Sequence, residues 1–407
     1  MVNYKIAKRL INDDNFDLGS LNKFSRISNL KKELLKSEDA DILDFGIGES
    51  DDMASYLIIR KLTYEAKKWE NRVYADNGIE EFKIEAANYL NRTYKLNLTK
   101  DNINHCIGAK SALAILPYLF INKGDYLLTT TPGYAVMSNV TRWLGGKVYE
   151  MKLTKENNFL PDLTKIPKSV LKKAKMMYIN YPNNPTGAVA DIDFYNNVVN
   201  FAKKNQIFVV SDAAYLPLVF NKSDQVSFLN AKGALDVGIE VHTLSKGFNM
   251  TGWRIGFVAG NKEIVSLFAK VKDVVDSGQF IPIQKAAITA LKNDNIVEEN
   301  NQKYYRRHIL VAKALTSVGL ITKIPKGTFY QYVRIPTHNI RGDIFENAMD
   351  FSMYLLKKHQ ILVIPWDDAG GYVRFSMTFI AKNKEEEEQV ANKLYFRLKD
   401  EGFDYLD

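Results

Sequence analysis

Three short apolar runs, Met176 to Ile179, Ile207 to Val210 and Val237 to Leu244, each end at polar residues capable of chemistry. Apolar runs of roughly four to eight residues bounded by turn signals read as buried strands. The first leads into Asn180-Tyr-Pro-Asn-Asn184-Pro-Thr-Gly187, the second into Asp212-Ala-Ala-Tyr215, and the third into Ser245-Lys246. Further strand-like runs fall at Ile42 to Gly48, Tyr126 to Thr130 and Lys147 to Leu153, alternating with helical stretches such as Ile192 to Lys204. This alternation predicts an α/β fold with a mostly parallel sheet covered by helices. Ligands in such sheets gather beyond the carboxyl ends of the strands, so Asn184, Asp212 and Lys246 are predicted to face one crevice.

The third run continues as Thr243-Leu-Ser-Lys246-Gly-Phe-Asn-Met-Thr-Gly252-Trp-Arg254-Ile-Gly256. An amine becomes a nucleophile toward a carbonyl when burial or nearby cations lower its pKa, and Arg254 would supply such charge while binding a phosphate. That is the layout of a pyridoxal phosphate anchor. A buried carboxylate at Asp212 would keep a pyridine ring protonated, the state in which it accepts electrons. Asn184 and Tyr215 can donate hydrogen bonds to the ring's phenolic oxygen. Taken singly, the plain alternatives are a loop lysine, a helix N-cap and an ordinary turn; their order along one chain favours the site.

From about Asp44 to Met377, these motifs resemble those of the class I and II aminotransferases of the fold-type I pyridoxal phosphate family. The resemblance implies that Lys246 is the Schiff-base lysine, with Thr243, Ser245 and Arg254 as phosphate ligands, Asp212 as the pyridinium partner, and Asn184 and Tyr215 as ring-oxygen ligands. By the same resemblance, Ala109 and Lys110 in Ile107-Gly-Ala-Lys-Ser111 bind phosphate ahead of the helical run Ala112 to Phe120, and Tyr134 stacks on the ring. Tyr74 matches the tyrosine that reaches the neighbouring subunit's phosphate, which implies a homodimer with shared active sites. Arg374, in Gly371-Tyr-Val-Arg-Phe-Ser-Met377, matches the substrate arginine, and its planar fork suits an α-carboxylate. Gly48 belongs to the loop Phe45-Gly-Ile-Gly-Glu-Ser-Asp-Asp52 that approaches substrate; Tyr134 and Asn184 are also placed beside it.

The implied activity is ping-pong transamination between an amino acid and a 2-oxo acid, with Lys246 as the proton carrier. Phrases such as Tyr74-Ala-Asp-Asn-Gly-Ile-Glu-Glu-Phe and Ser277-Gly-Gln-Phe-Ile-Pro-Ile-Gln284 are most similar to LL-diaminopimelate aminotransferases, which use 2-oxoglutarate. Aspartate or aromatic aminotransferases and carbon-sulfur lyases are the alternatives on the same scaffold. A DNA-binding regulator is disfavoured because no helix-turn-helix extension fits before Asp44.

The 55 Lys and Arg residues exceed the 47 Asp and Glu residues by eight, and they are scattered, so nucleic-acid binding is not expected. No Cys/His cluster suggests a metal. The lone Cys106 excludes an internal disulfide and fits a cytoplasmic protein with a buried thiol. Met1 to Lys8 lacks the apolar core of a signal peptide, and no apolar run approaches the roughly 18 residues of a membrane span.

A large cofactor-binding domain is expected over 45–295, and a smaller α+β domain over 1–44 and 296–407. The latter would hold an amphipathic helix over Val297 to Val318, a strand over Ile321 to Ile335, a helix over Ala348 to His359, and strands over Ile361 to Pro365 and Tyr372 to Met377. In the last helix Val390, Leu394 and Leu398 form the expected buried stripe behind a solvated acidic first turn.

Overall fold

The computed structural model describes residues 18–37 and 40–405; the expectation for Met1 to Lys8 lies outside them. Twelve strands are found among the described residues: β1 (Leu43–Asp44), β2 (Ile103–Cys106), β3 (Tyr126–Thr131), β4 (Lys147–Lys152), β5 (Ala174–Asn180), β6 (Phe208–Asp212), β7 (Gly238–Thr243), β8 (Gly256–Gly260), β9 (Tyr330–Arg334), β10 (Ile361–Leu362), β11 (Ile364–Trp366) and β12 (Tyr372–Ser376).

Seven of them form one sheet in the order β2-β8-β7-β6-β5-β3-β4. Pairing is parallel from β4 to β7, and β8 runs antiparallel to both β7 and β2. The near-continuous burial of β5, β6 and β7 is what a sheet covered on both faces requires. Helices supply the covers. One apolar layer includes Phe82, Leu90, Val198 and Ala286, and the other includes Ala112, Leu113, Leu127 and Phe268. Local chemistry starts these helices where the sheet needs them: Asp191 and Asn261 accept the Phe194 and Ile264 amides at the N-termini of Ile192–Asn205 and Lys262–Val275.

The remaining strands make a three-stranded antiparallel sheet, β11-β12-β9, and the parallel pair β1-β10. Helices Asn295–Thr316, Ala348–His359 and Lys384–Leu398 accompany them around a core that includes Leu315, Phe329, Val333, Phe351, Phe375 and Leu394.

Several expectations need correction, among them the strand over Ile361 to Pro365, which is two: β10 pairs with β1 and β11 with β12. The strand over Ile42 to Gly48 is only β1, because Gly46 and Gly48 turn their carbonyls toward Arg374 and Lys246 instead of a neighbouring strand. The strand over Ile321 to Ile335 begins at Tyr330, since Pro325 lacks an amide for a ladder and Gly327 packs close against the Leu218 carbonyl. The helical run Ala112 to Phe120 is two helices, Ala109–Ile115 and Pro117–Phe120, with Pro117 opening the second. The acidic start of Lys384–Leu398 is not wholly solvated, because Glu387 is buried against Arg306 and Arg307. On that helix Ala391, Leu394 and Leu398 are buried, whereas Val390 is only partly covered.

Truncating Leu394 to alanine should therefore cost about 2–5 kcal/mol of stability, and Val390→Ala less than about 1.5 kcal/mol. Urea unfolding measures both, and equal losses would contradict the burial of this helix face.

Candidate active site

The parallel register brings the chemical residues to one edge. Asn180 pairs with Asp212 and Asp212 with Val241, so β5, β6 and β7 terminate side by side. The antiparallel β8 enters the sheet at this same edge. Its first residue, Gly256, lies between Thr243 and Cys106, which places Arg254 beside the ends of β7 and β2.

Thr243 ends β7, and its side chain accepts the Ser245 amide at 3.2 Å, starting the one-turn helix Leu244–Gly247. That turn aims Lys246 inward, where its Nζ donates to the Gly48 carbonyl at 2.7 Å. The ammonium lies 5.6 Å from the Phe329 ring centroid and 6.0 Å from that of Tyr215. Burial brings the Lys246 amine down to about 8; Glu49 opposes this, Arg374 and Arg254 reinforce it, and Asp212 opposes it.

Asp212 is 4% exposed and accepts the Tyr178 hydroxyl at 2.9 Å and the Ala214 amide at 3.2 Å. Burial outweighs these bonds and raises its carboxyl to about 6. It has no ion pair among the described residues.

A second corner collects anion-binding groups. The Thr243 hydroxyl donates to Ser245 Oγ at 2.9 Å, and Arg254 Nη1 donates to the Thr251 carbonyl at 2.7 Å and to Ser245 Oγ at 3.4 Å. Gly108, at φ +74°, lies so close to Arg254 that a Cβ there would fall 2.5 Å from Nη2. Ala109 opens the following helix, with its first amides unpaired within that helix. Lys110 is next and exposed.

On the opposite side, Arg374 is 4% exposed; Nη1 donates to Asn184 Oδ1 at 2.9 Å and Nη2 to the Gly46 carbonyl at 3.2 Å. Its guanidinium lies 4.1 Å from the Tyr330 ring centroid, and its buried Nε has no partner among the described residues. The Tyr215 and Tyr330 hydroxyls are 3.0 Å apart. Burial, and then the charge of Asp212, raise the Tyr134 hydroxyl to about 12, which puts that residue within electrostatic reach of the site.

One chain thus brings together Gly48, Tyr134, Asn184, Asp212, Tyr215, Thr243, Ser245, Lys246, Arg254 and Arg374, with Ala109 and Lys110 at the rim. Tyr74 is apart: it is 83% exposed, on a loop fixed by the Ala75–Gly278 bridge. Sequence reasoning missed Tyr178, Tyr330 and Glu49. A tyrosine inside the buried run of β5 was a readable signal, since its hydroxyl needs a partner. Tyr330 carried none, because the two core aromatics beside each other, Phe329 and Tyr330, read only as strand.

These residues fit pyridoxal 5′-phosphate: a buried acid lacks a cation, a hydroxyl and guanidinium corner suits phosphate, and a half-shielded lysine lies between them. The unpartnered Arg374 Nε suits a carboxylate oxygen. No group of three or more His, Cys, Asp or Glu suited to a metal is found among the described residues.

In the cofactor-free protein, labelling of Lys246 by an amine-reactive reagent should rise with pH around a midpoint near 8 instead of 10.5, because only the neutral amine reacts. Glu49→Gln should lower that midpoint, and a midpoint above 10 would contradict the burial assigned here.

Asp212→Asn should stabilise the cofactor-free protein at pH 7 by roughly 1–3 kcal/mol. The raised folded pKa means the wild-type carboxylate opposes folding increasingly from about pH 4 to 6, so the gain should vanish toward pH 4. Thermal unfolding across that range measures it.

Residues 40–394 match the family described as aminotransferase class I and II. The chain is 50% identical over 366 residues to an LL-diaminopimelate aminotransferase of Methanocaldococcus jannaschii, covering 89% of this chain and 87% of that protein. It is 45% identical over 390 residues to a protein of the same name from Methanococcus maripaludis, covering 94% and 93%. Among solved structures, substrate-bound BacF from Bacillus subtilis superposes with a TM-score of 0.85 at 31% identity, covering 95% of this chain and 96% of that one. The match spans Asn184, Asp212, Lys246 and Arg374, and the chain belongs to the class I and II aminotransferases, fold-type I enzymes that depend on pyridoxal 5′-phosphate.

Proposed function

We propose that this aminotransferase moves an amino group between LL-diaminopimelate and 2-oxoglutarate. The observation that carries the reading is the 50% identity to the Methanocaldococcus jannaschii LL-diaminopimelate aminotransferase over 87% of that protein. The site's charges agree with it. Arg374 offers an unpaired donor to an α-carboxylate, and the exposed Glu49, whose charge acts on Lys246, adds an acid nearby for a substrate that carries two ammonium groups.

In this reading Thr243, Ser245, Arg254, Lys110 and the Ala109 amide hold the phosphate. Asp212 keeps the ring nitrogen protonated, Asn184 and Tyr215 donate to the ring oxygen, and Tyr134 flanks the ring. Pyridoxal phosphate, when bound, supplies an acceptor for the electron pair released at the substrate α-carbon. Arg374 orients that carbon by fixing the carboxylate on it. Lys246, whose lowered pKa of about 8 leaves a working fraction of neutral amine, takes the α-proton as a base matched to working pH. The Gly48 carbonyl, 2.7 Å from Nζ, keeps the amine aimed into the site. After the keto acid leaves, the same groups run the second half-reaction in reverse on 2-oxoglutarate.

Tyr74 is assigned to the partner subunit's phosphate in a homodimer. Supporting this, it stands exposed with Val274, Val275 and Phe280 on segments joined at Ala75 and Gly278, an apolar surface of the kind that marks a protein interface. No helix among the described residues is long and apolar enough to cross a membrane. The segments 45–295 and 296–407 with 1–44 are taken as the two domains, dividing where helix Asn295–Thr316 begins.

A panel of amino donors with 2-oxoglutarate should give glutamate fastest from LL-diaminopimelate, and Lys246→Ala should lose roughly 10²–10⁴-fold or more of that rate. Preference for aspartate or an aromatic donor would replace the substrate assignment, and full activity of Lys246→Ala would overturn the mechanism.

A further inference from the structure

Arg307 is fully buried in helix Asn295–Thr316, and its side-chain hydrogen bonds run to other segments. Its Nε donates to Glu387 Oε1 at 2.9 Å. Nη1 donates to Asp51 Oδ2 and to the Met377 and Phe379 carbonyls, each at 2.9 Å, and Nη2 donates to the Ala381 carbonyl at 3.2 Å. Removing a guanidinium from water is costly, and only such complete pairing offsets it. Burial works against the charge of Glu387 too, yet the Arg306 and Arg307 guanidiniums hold its carboxyl below the usual range.

Asp51 is the member that reaches the active site. Its side chain is 3% exposed and meets three residues of one helix: Lys303 at 2.9 Å, the Tyr304 hydroxyl at 3.1 Å and Arg307. Residues three and four apart share a helix face, so Lys303, Tyr304 and Arg307 form one fork around the carboxylate. Three residues before Asp51 is Gly48, whose carbonyl accepts Lys246. Between them Ser50 Oγ donates to the Ser245 carbonyl at 3.3 Å. The other rim of the loop is laced to the chain leaving β12, through Ser376 N to Phe45 O at 2.7 Å and Thr378 Oγ1 to Ile47 O at 2.9 Å. That chain carries Arg374, and its Met377 and Phe379 carbonyls accept from the same guanidinium that binds Asp51. The Asp51–Arg307 pair therefore ties the loop that carries the Gly46 and Gly48 carbonyls to the chain that follows Arg374.

We propose that Asp51 is a positioning residue for the substrate loop, anchored by Lys303, Tyr304 and Arg307, and that it governs substrate affinity through Arg374 and Lys246. The proposal rests on Arg374 as the carboxylate clamp. Glu387 pairs with the same arginine from the side away from the loop, which makes it the control for a role confined to stability.

The test compares Asp51→Asn and Glu387→Gln holoenzymes. Asp51→Asn should raise KM for both the amino donor and 2-oxoglutarate about tenfold or more while kcat stays within about threefold, because ground-state and transition-state binding are lost together. In the cofactor-free protein the Lys246 labelling midpoint should also fall from about 8 toward 7 as the Gly48 carbonyl and Glu49 move away. Glu387→Gln should lower the urea midpoint and leave both KM values within about twofold. If Asp51→Asn does not fold, the double variant Lys303→Met with Tyr304→Phe removes two of the three anchors and should show the same pattern more weakly. Unchanged KM values and an unchanged labelling midpoint in the loop variant, or identical patterns for the two sites, overturn the proposal. The labelling midpoint involves no substrate, so a shifted midpoint beside unchanged KM values locates the failure in the clamp reading of Arg374 and overturns the affinity claim.

Discussion

Parallel pairing from β4 to β7 is the constraint on which the rest depends, because it makes successive strands run out at one edge. Where a ladder ends, backbone groups and side chains are released together into space that the helices do not fill. Asp212 closes β6, Thr243 closes β7, and the turns after them deliver Tyr215, Ser245 and Lys246. The one reversed strand, β8, extends the arrangement: by starting where the others finish, it adds Arg254 to the same edge.

Burial at that edge then does electrostatic work. The Lys246 amine falls to about 8 and the Asp212 carboxyl rises to about 6, each through loss of water. Both are left nearer neutrality than their free counterparts, and neither is paired with the other in a salt bridge. A carboxylate pair would have removed the amine's reactivity; keeping the lysine on the uncharged Gly48 carbonyl leaves its proton exchangeable at working pH. Arg374 is treated differently. Stacking on Tyr330 and donation to Asn184 and Gly46 fix its plane, and the unsatisfied Nε keeps a donor in reserve.

Much of the site was legible because its residues sit at fixed offsets from apolar runs that could be nothing but buried strands. β5, β6 and β7 were readable to within a few residues, and helix Ala348–His359 matched its expected limits, with Asn347 as its cap. Elements that make few hydrogen bonds of their own were not readable. The loop from Phe45 to Asp52 looks strand-like until its carbonyls are seen to bind side chains, and β8 was hidden in the tail of the lysine motif. The acidic start of the last helix misled for a related reason: a run of four glutamates gives no hint that Glu387 alone turns inward to Arg306 and Arg307.

The linear chain by itself determined the alternation of strands and helices, the offsets that put Asn184, Asp212 and Lys246 at or just past strand ends, and the glycines of the Phe45 to Asp52 loop that suit a close approach to a ligand. These follow from local patterning, which needs only near neighbours. Tertiary structure alone decided that Tyr178 supports Asp212, that Tyr330 lies beneath Arg374, and that Arg307 ties Asp51 to the chain after β12. Each of these joins residues from 34 to more than 250 positions apart, and such partners are selected by packing and by the cost of leaving a buried charge unpaired.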